Sequence, residues 1–196
     1  PRSTLFPYTT LFRSPKREIC SGLAETIKHA CISDKDFFEY IEKNIEEILA
    51  LKTEVCEHIA EENCKIKYKV VMKDERESGL REILNLGHTV GIAIETVSEY
   101  KLLHGEALSI GLVAEVKLAY KLGYVTAEER DRVINLLEKA NLPIAIPEYI
   151  DREKLVKKLY TDKKVRDGKL RFVLQKGIGN VLNLKMDNLQ LQFQKK

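Results

Sequence analysis

Two of the four histidines, His88 and His104, stand beside glycines inside otherwise apolar segments, G-H-T and L-H-G-E. Imidazole is the commonest transition-metal ligand and carries protons near neutral pH. A buried histidine more often simply satisfies a hydrogen bond, but two in matching settings favour a ligand role. Metal centres that keep an open coordination position commonly take three protein ligands from histidine and carboxylate. Glu25, in G-L-A-E-T-I-K, is the candidate carboxylate, because it follows Leu23 and Ala24 and precedes Ile27 on a largely apolar stretch. Lys28, three residues on, shares its face. Spacing leaves open whether Glu25 binds metal or only pairs with Lys28, an exposed ion pair being worth ~0.3 kcal/mol. His58, within C-E-H-I-A-E-E-N, reads as a solvated surface residue, and His29, next to Lys28, is undecided.

Two charged segments also have chemical potential. D-E-R-E-S-G-L-R-E-I-L-N places Glu77, Arg81 and Asn85 at intervals of four, an alignment that holds if a helix begins early. T-D-K-K-V-R-D-G-K-L-R clusters cations near a turn, suited to gripping a phosphate. A charged loop and a solvated basic turn are the plainer readings of the two.

The elements that must position these residues are mostly helical. Residues 21–32 form a short helix. Ser33 caps a second, with Phe37, Phe38, Ile41, Ile45, Ile48 and Leu49 at helical spacing. A third runs from about Thr53 to Met72, burying Val55, Ile59, Ile66 and Val70, and a charged connection punctuated by Gly79 follows. I-L-N-L-G-H-T-V-G-I-A-I-E opens a fourth helix that extends to about Ser98. Its interior glycines, Gly87 and Gly91, each cost about 1 kcal/mol relative to alanine. Four apart, they share a face beside His88. The fifth helix, 105–123, is apolar nearly all round in its first half, as for a helix inside a bundle, and Gly123 ends it. Thr126 and Glu129 form a capping box for a sixth helix that stops at Leu142-Pro143, and Asp151 caps a last one through about Tyr160. L-R-F-V-L and V-L-N-L, residues 170–174 and 181–184, read as two strands around G-I-G-N. The predicted class is mainly α, a multi-helix bundle with a small C-terminal β-hairpin.

Composition sets the remaining bounds. With 196 residues, 44% of them hydrophobic, the chain can bury a sizeable core. A net charge of +3 without a basic-aromatic platform argues against nucleic acid, and no stretch of 18 apolar residues exists to span a membrane. Four cysteines without a C-x-x-C pair suit a reducing, cytoplasmic setting. The first fourteen residues, P-R-S-T-L-F-P-Y-T-T-L-F-R-S, show no secondary-structure period and no signal-peptide core. They resemble the translated read-through of a sequencing adapter, a floppy N-terminus being the alternative, and the helical domain is taken as residues 15–196.

S-G-L-A-E-T-I-K-H-A, D-E-R-E-S-G-L-R-E-I-L-N-L-G-H-T, L-H-G-E-A and D-K-K-V-R-D-G-K-L-R-F-V-L together resemble the 3-dehydroquinate synthase family, in its C-terminal, metal-binding half. The wider group holds other sugar-phosphate cyclases and, more distantly, glycerol and iron-dependent alcohol dehydrogenases. The resemblance implies a zinc or cobalt ion held by Glu25, His88 and His104, with Gly87 and Gly91 clearing space for metal and substrate beside His88. It implies substrate contacts from Lys28, Lys67, Arg81 and Asn85, phosphate contact from Lys163 and Lys164, Glu77 as proton acceptor, and Ser21 on the NAD side. The implied reaction is a carbon–oxygen lyase step of the shikimate pathway to aromatic amino acids. It closes 3-deoxy-D-arabino-heptulosonate 7-phosphate to 3-dehydroquinate with loss of phosphate, NAD oxidising one hydroxyl transiently. A homodimer is implied for the full-length form.

Two departures qualify the match. The family usually reads G-H-T-F-G-H-A-I-E, whereas this chain has Ile92 in place of the second histidine. A hydrocarbon there carries no proton. The second departure is the absence of G-x-G-x-x-G or any comparable dinucleotide loop. The 196 residues therefore read as a fragment without its N-terminal NAD-binding domain, able to bind metal and not expected to turn over alone. The competing readings are another sugar-phosphate cyclase, a metal-dependent polyol dehydrogenase, and a non-catalytic helical module. D-E-R-E-S-G-L-R and D-K-K disfavour the dehydrogenase, and retained stoichiometric metal would exclude the module.

Overall fold

The computed structural model describes residues 14–73, 80–161, 165–166 and 169–186. Helix α1, Lys16–Ser33, follows Pro15, whose fixed φ suits a helix entry, and buries nearly all of its second half. It begins five residues before the sequence expectation, with Cys20 already in the core. Asp34, not Ser33, caps α2 (Lys35–Leu49), its carboxylate accepting from the Phe37 amide at 2.9 Å. Phe37, Phe38, Ile41, Ile45 and Ile48 of α2 are buried as their spacing requires. Helix α3, Thr53–Lys73, turns Val55, Ile59, Ile66 and Val70 inward.

The expected fourth helix is broken in two. Leu80–Asn85 forms a 3₁₀ helix, and α4 spans only His88–Val97. The break falls at Gly87, whose φ of 77° is left-handed and out of reach of a helix interior. The alignment of Arg81 with Asn85 through α-helical spacing lapses with it, because a 3₁₀ turn takes about three residues.

Helix α5, His104–Lys121, is the central strut, with Gly105 and every residue from Ala107 to Val113 buried. Helices α4 and α5 cross closely: a Cβ at Gly111 would lie 2.1 Å from the Gly87 carbonyl oxygen, and one at Gly91 3.1 Å from Leu108 Cα. A Cβ at Gly87 would meet Leu108 and Leu112 at 2.8 Å. These glycines therefore admit a neighbouring helix, and the reading that they clear space for metal and substrate is corrected.

Helix α6, Ala127–Lys139, opens on the expected capping box of Thr126 and Glu129 and ends three residues before Leu142-Pro143. Helix α7, Arg152–Thr161, opens on Asp151, which accepts from the amides of Glu153 and Lys154. The expected hairpin is present as β2 (Lys169–Gln175) and β3 (Val181–Met186), antiparallel, with Phe172 opposite Leu184. A two-residue strand β1, Val165–Arg166, adds to the outer edge of β2, giving the order β1-β2-β3. Strand β2 packs against α5 with Phe172, Val173 and Leu174 buried. The hairpin turn is tied to the end of α1 by Gly179 N–H donating to the Cys31 carbonyl at 3.1 Å. No helix among the described residues is long and apolar enough to cross a membrane.

Candidate metal centre

Three helices meet here, and each brings one ligand candidate. Glu25 lies on α1, while His88 and His104 are the first residues of α4 and α5. A side chain at the first position of a helix projects past its end, so two helix starts aimed at the flank of a third bring their imidazoles together. The two rings stand 5.3 Å apart between centroids. His88 Nε2 is 3.3 Å and His104 Nε2 3.2 Å from the same Glu25 oxygen, Oε1. The ligand atoms of all three residues lie within 4.8 Å of one another.

The scaffold holds this arrangement by direct contacts between helices. Gly105 N–H donates to Ser21 Oγ at 3.0 Å, and a Cβ at Gly105 would fall 1.9 Å from the Ser21 carbonyl oxygen. Only glycine lets α5 come that close to α1. Arg17 of α1 adds a bidentate ion pair to Glu106 of α5, at 2.6 Å, and Glu106 accepts from the Leu103 amide at 2.8 Å. The start of α4 is held from behind by the buried carboxylate of Glu115, which accepts from Gly87 N–H at 2.5 Å.

Both imidazoles are oriented by their second nitrogen. His88 Nδ1 lies 3.1 Å from the Leu86 carbonyl oxygen and His104 Nδ1 3.1 Å from Glu95 Oε2. A carbonyl or carboxylate oxygen can only accept, so each Nδ1 carries a proton and each Nε2 faces Glu25. Neutral imidazole and carboxylate suit zinc or cobalt, and with three ligands a coordination position stays open for substrate. The residues therefore fit such an ion.

Protons compete with an ion for these ligands. Burial opposes ionisation of Glu25, yet hydrogen bonds from His104 and His88 and the charge of Lys28 hold its carboxyl well below the usual range. The same Glu25 contact, helped by Glu95, raises His104 to about 9 against the opposition of burial. Lys28 Nζ sits 2.6 Å from the other Glu25 oxygen, Oε2, so this ion pair leaves Oε1 to the two imidazoles. Burial lowers the pKa of Lys28 while Glu25 raises it, and the nearby charge of Lys67 lowers it further. His29 is buried with Nδ1 2.9 Å from Asn63 Oδ1, and desolvation pushes it down to about 4. His58 is not fully solvated: its ring lies 4.3 Å from that of Tyr40.

The other candidates fall at varying distance from this cluster. Lys67 is exposed on α3. Asn85 is partly buried in the 3₁₀ helix, two residues ahead of Gly87, and the backbone of Arg81 belongs to the same helix. Ile92 is partly buried one turn along α4 from His88. Ser21 is buried, its hydroxyl turned to Gly105. Glu77, Lys163 and Lys164 lie outside the described residues, as does the Arg81 side chain. Glu95 and Glu115 were missed from the sequence, although each is an isolated carboxylate on an apolar helical stretch, V-G-I-A-I-E-T and L-V-A-E-V. That isolation was the available signal, since a buried carboxylate requires a partner.

The helical architecture recurs in solved sugar-phosphate cyclases. A 2-epi-5-epi-valiolone synthase from Streptomyces hygroscopicus subsp. jinggangensis, with NAD+ and Zn2+ bound, matches 92% of this chain and 51% of its own at TM-score 0.84 and 23% identity. A 2-deoxy-scyllo-inosose synthase complexed with carbaglucose-6-phosphate, NAD+ and Co2+ matches 89% of this chain and 50% of its own, at TM-score 0.76 and 22% identity. In sequence, residues 22–165 match the description 3-dehydroquinate synthase C-terminal, and the chain belongs to that family. A 3-dehydroquinate synthase of Acetivibrio thermocellus is 44% identical over 192 residues, covering 97% of this chain and 53% of the relative. One from Pseudomonas aeruginosa is 43% identical over 183 residues, covering 93% of this chain and 50% of the relative. The chain thus spans about half the length of the curated relatives it matches.

Proposed function

We propose that this chain forms the metal- and substrate-binding half of a 3-dehydroquinate synthase, closing 3-deoxy-D-arabino-heptulosonate 7-phosphate to 3-dehydroquinate with release of phosphate. The observation that carries the reading is the convergence of Glu25, His88 and His104 within 4.8 Å in a chain of this family. When bound, a zinc or cobalt ion supplies Lewis acidity toward substrate hydroxyls, and NAD takes up a hydride and later returns it.

The chain's own residues bind, orient and move protons around that chemistry. Glu25, His88 and His104 hold the ion, with Nε2 of each imidazole already facing Glu25. Lys28, fixed against Glu25, presents a cation where substrate oxygens gather. Lys67, Arg81 and Asn85 are the further substrate contacts, and Ser21 lies toward NAD. Once a substrate hydroxyl is a ketone, the adjacent carbon is acidic. Glu77 accepts its proton as phosphate departs with the electron pair of the breaking C–O bond. Lys163 and Lys164 grip that phosphate, a contribution of positioning more than of force. With Ile92 where the family carries a histidine, no imidazole assists from that turn of α4. A cytoplasmic, homodimeric enzyme of aromatic amino acid biosynthesis belongs to the same reading.

Titration calorimetry with 3-deoxy-D-arabino-heptulosonate 7-phosphate tests it. The zinc-loaded chain is expected to bind the substrate at least ~10-fold more tightly than the metal-free chain, a difference of about 1.4 kcal/mol. Equal affinity in the two states, or no binding by the zinc-loaded chain, would overturn the reading.

A further inference from the structure

His88 and His104 are oriented by different means. His88 is served locally, by a backbone carbonyl two residues away at 3.1 Å. His104 is not: its acceptor is the side chain of Glu95, near the end of α4, nine residues earlier and on another helix. The His104 side chain is 47% exposed, so little packing fixes its ring, whereas Glu95 is 22% exposed and better held. Glu95 contacts the imidazole at Nδ1, the nitrogen opposite the one that faces Glu25. A carboxylate there keeps the proton on Nδ1, leaves the Nε2 lone pair for an ion, and strengthens the imidazole as a donor.

We propose that Glu95 is a positioning residue of the metal centre, holding His104 in the tautomer and orientation that present Nε2 to a divalent ion. This inference rests on the metal-centre reading above. The Glu95 carbonyl also accepts from Ser98 Oγ at 2.9 Å and from the Tyr100 amide at 3.1 Å. Those bonds survive any side chain at residue 95, so substitution there isolates the contact to His104.

The test compares the wild-type 196-residue chain with Glu95→Gln, Glu95→Ala and Glu25→Gln. Zinc affinity is measured by competition with a chromophoric chelator, the Co2+ complex by visible absorption, and the metal-free chain by thermal unfolding. Glu95→Ala is expected to bind zinc roughly 10–100-fold more weakly and to shift the Co2+ band. Glu95→Gln falls between it and wild type, because the amide oxygen still accepts but brings no charge. Either variant lowers the metal-free melting temperature by no more than about 3 °C, the scale of one partly exposed ion pair. Wild-type zinc affinity and Co2+ spectrum in both Glu95 variants, with binding lost in Glu25→Gln, would overturn this inference and leave the metal centre standing. So would a weakened affinity accompanied by a metal-free melting temperature lowered by clearly more than that limit, which marks a structural role. No zinc binding by wild type, or full binding by Glu25→Gln, would overturn both.

Discussion

Replacing Gly105 with alanine asks how closely α1 and α5 must sit for the three ligands to meet. The added Cβ would stand 1.9 Å from the Ser21 carbonyl oxygen and 2.6 Å from its hydroxyl, where ordinary contact begins near 3.4 Å. The obstacle is backbone, so no rotamer change relieves it. The start of α5 must withdraw by about 1.5 Å, the gap between the clash distance and ordinary contact. That movement breaks the 3.0 Å bond from Gly105 N–H to Ser21 Oγ. Overpacking at ~1–3 kcal/mol and the lost hydrogen bond at ~1 kcal/mol together predict a destabilisation of about 2–4 kcal/mol. His104, the neighbouring residue, moves with the helix, whereas metal–ligand distances tolerate only about 0.2 Å. Zinc affinity should therefore fall at least ~10-fold. Urea unfolding of the metal-free chain and zinc competition with a chelator read the two effects. A variant within ~0.5 kcal/mol of wild type that binds zinc unchanged would refute the close-approach reasoning.

The remaining expectations concern buried groups and turnover. Glu115→Ala removes the acceptor for Gly87 N–H and should cost about 1–3 kcal/mol in urea unfolding while weakening zinc binding through His88. Burial pushes the Cys31 thiol up to about 12 from an ordinary 9.0, so the unfolded chain ionises there first. Its contribution is intact below pH ~9 and lost at ~1.4 kcal/mol per pH unit above that. Comparing unfolding free energies at pH 8 and pH 10 should show a steeper loss in wild type than in Cys31→Ala. A thiol reagent at pH 8 should modify the exposed Cys64 in the native chain, and Cys20, Cys31 and Cys56 only on unfolding. Supplied with zinc, NAD and substrate, the chain alone should release no phosphate. Measurable release would contradict the expectation that turnover needs more than the half of the relatives' length that these residues span.

Amphipathic spacing and local capping were legible without coordinates. Phe37, Phe38 and Ile41 announce α2, and the Thr126–Glu129 box and Asp151 mark helix starts, because each signal is complete within a few residues. The three ligand candidates were legible as polar groups in apolar settings. What the sequence did not disclose is tertiary. The apolar period of residues 83–95 runs straight through Gly87, and only the proximity of Leu108, Leu112 and Gly111 on α5 shows why the helix must restart there. The roles of Glu95 and Glu115 depend on groups nine and twenty-eight residues away, on other elements. The start of α1 was hidden because K-R-E-I-C lacks a periodic face, and the Arg17–Glu106 ion pair that anchors it spans 89 residues.

X-ray absorption at the zinc edge, paired with anomalous diffraction from crystals of the zinc-loaded chain, bears most directly on the metal centre. One ion is expected per chain, bonded to Glu25 Oε1, His88 Nε2 and His104 Nε2 at about 2.0–2.2 Å. An ion bound elsewhere, or a zinc-loaded chain in which any of these three atoms is not a ligand, would contradict the account.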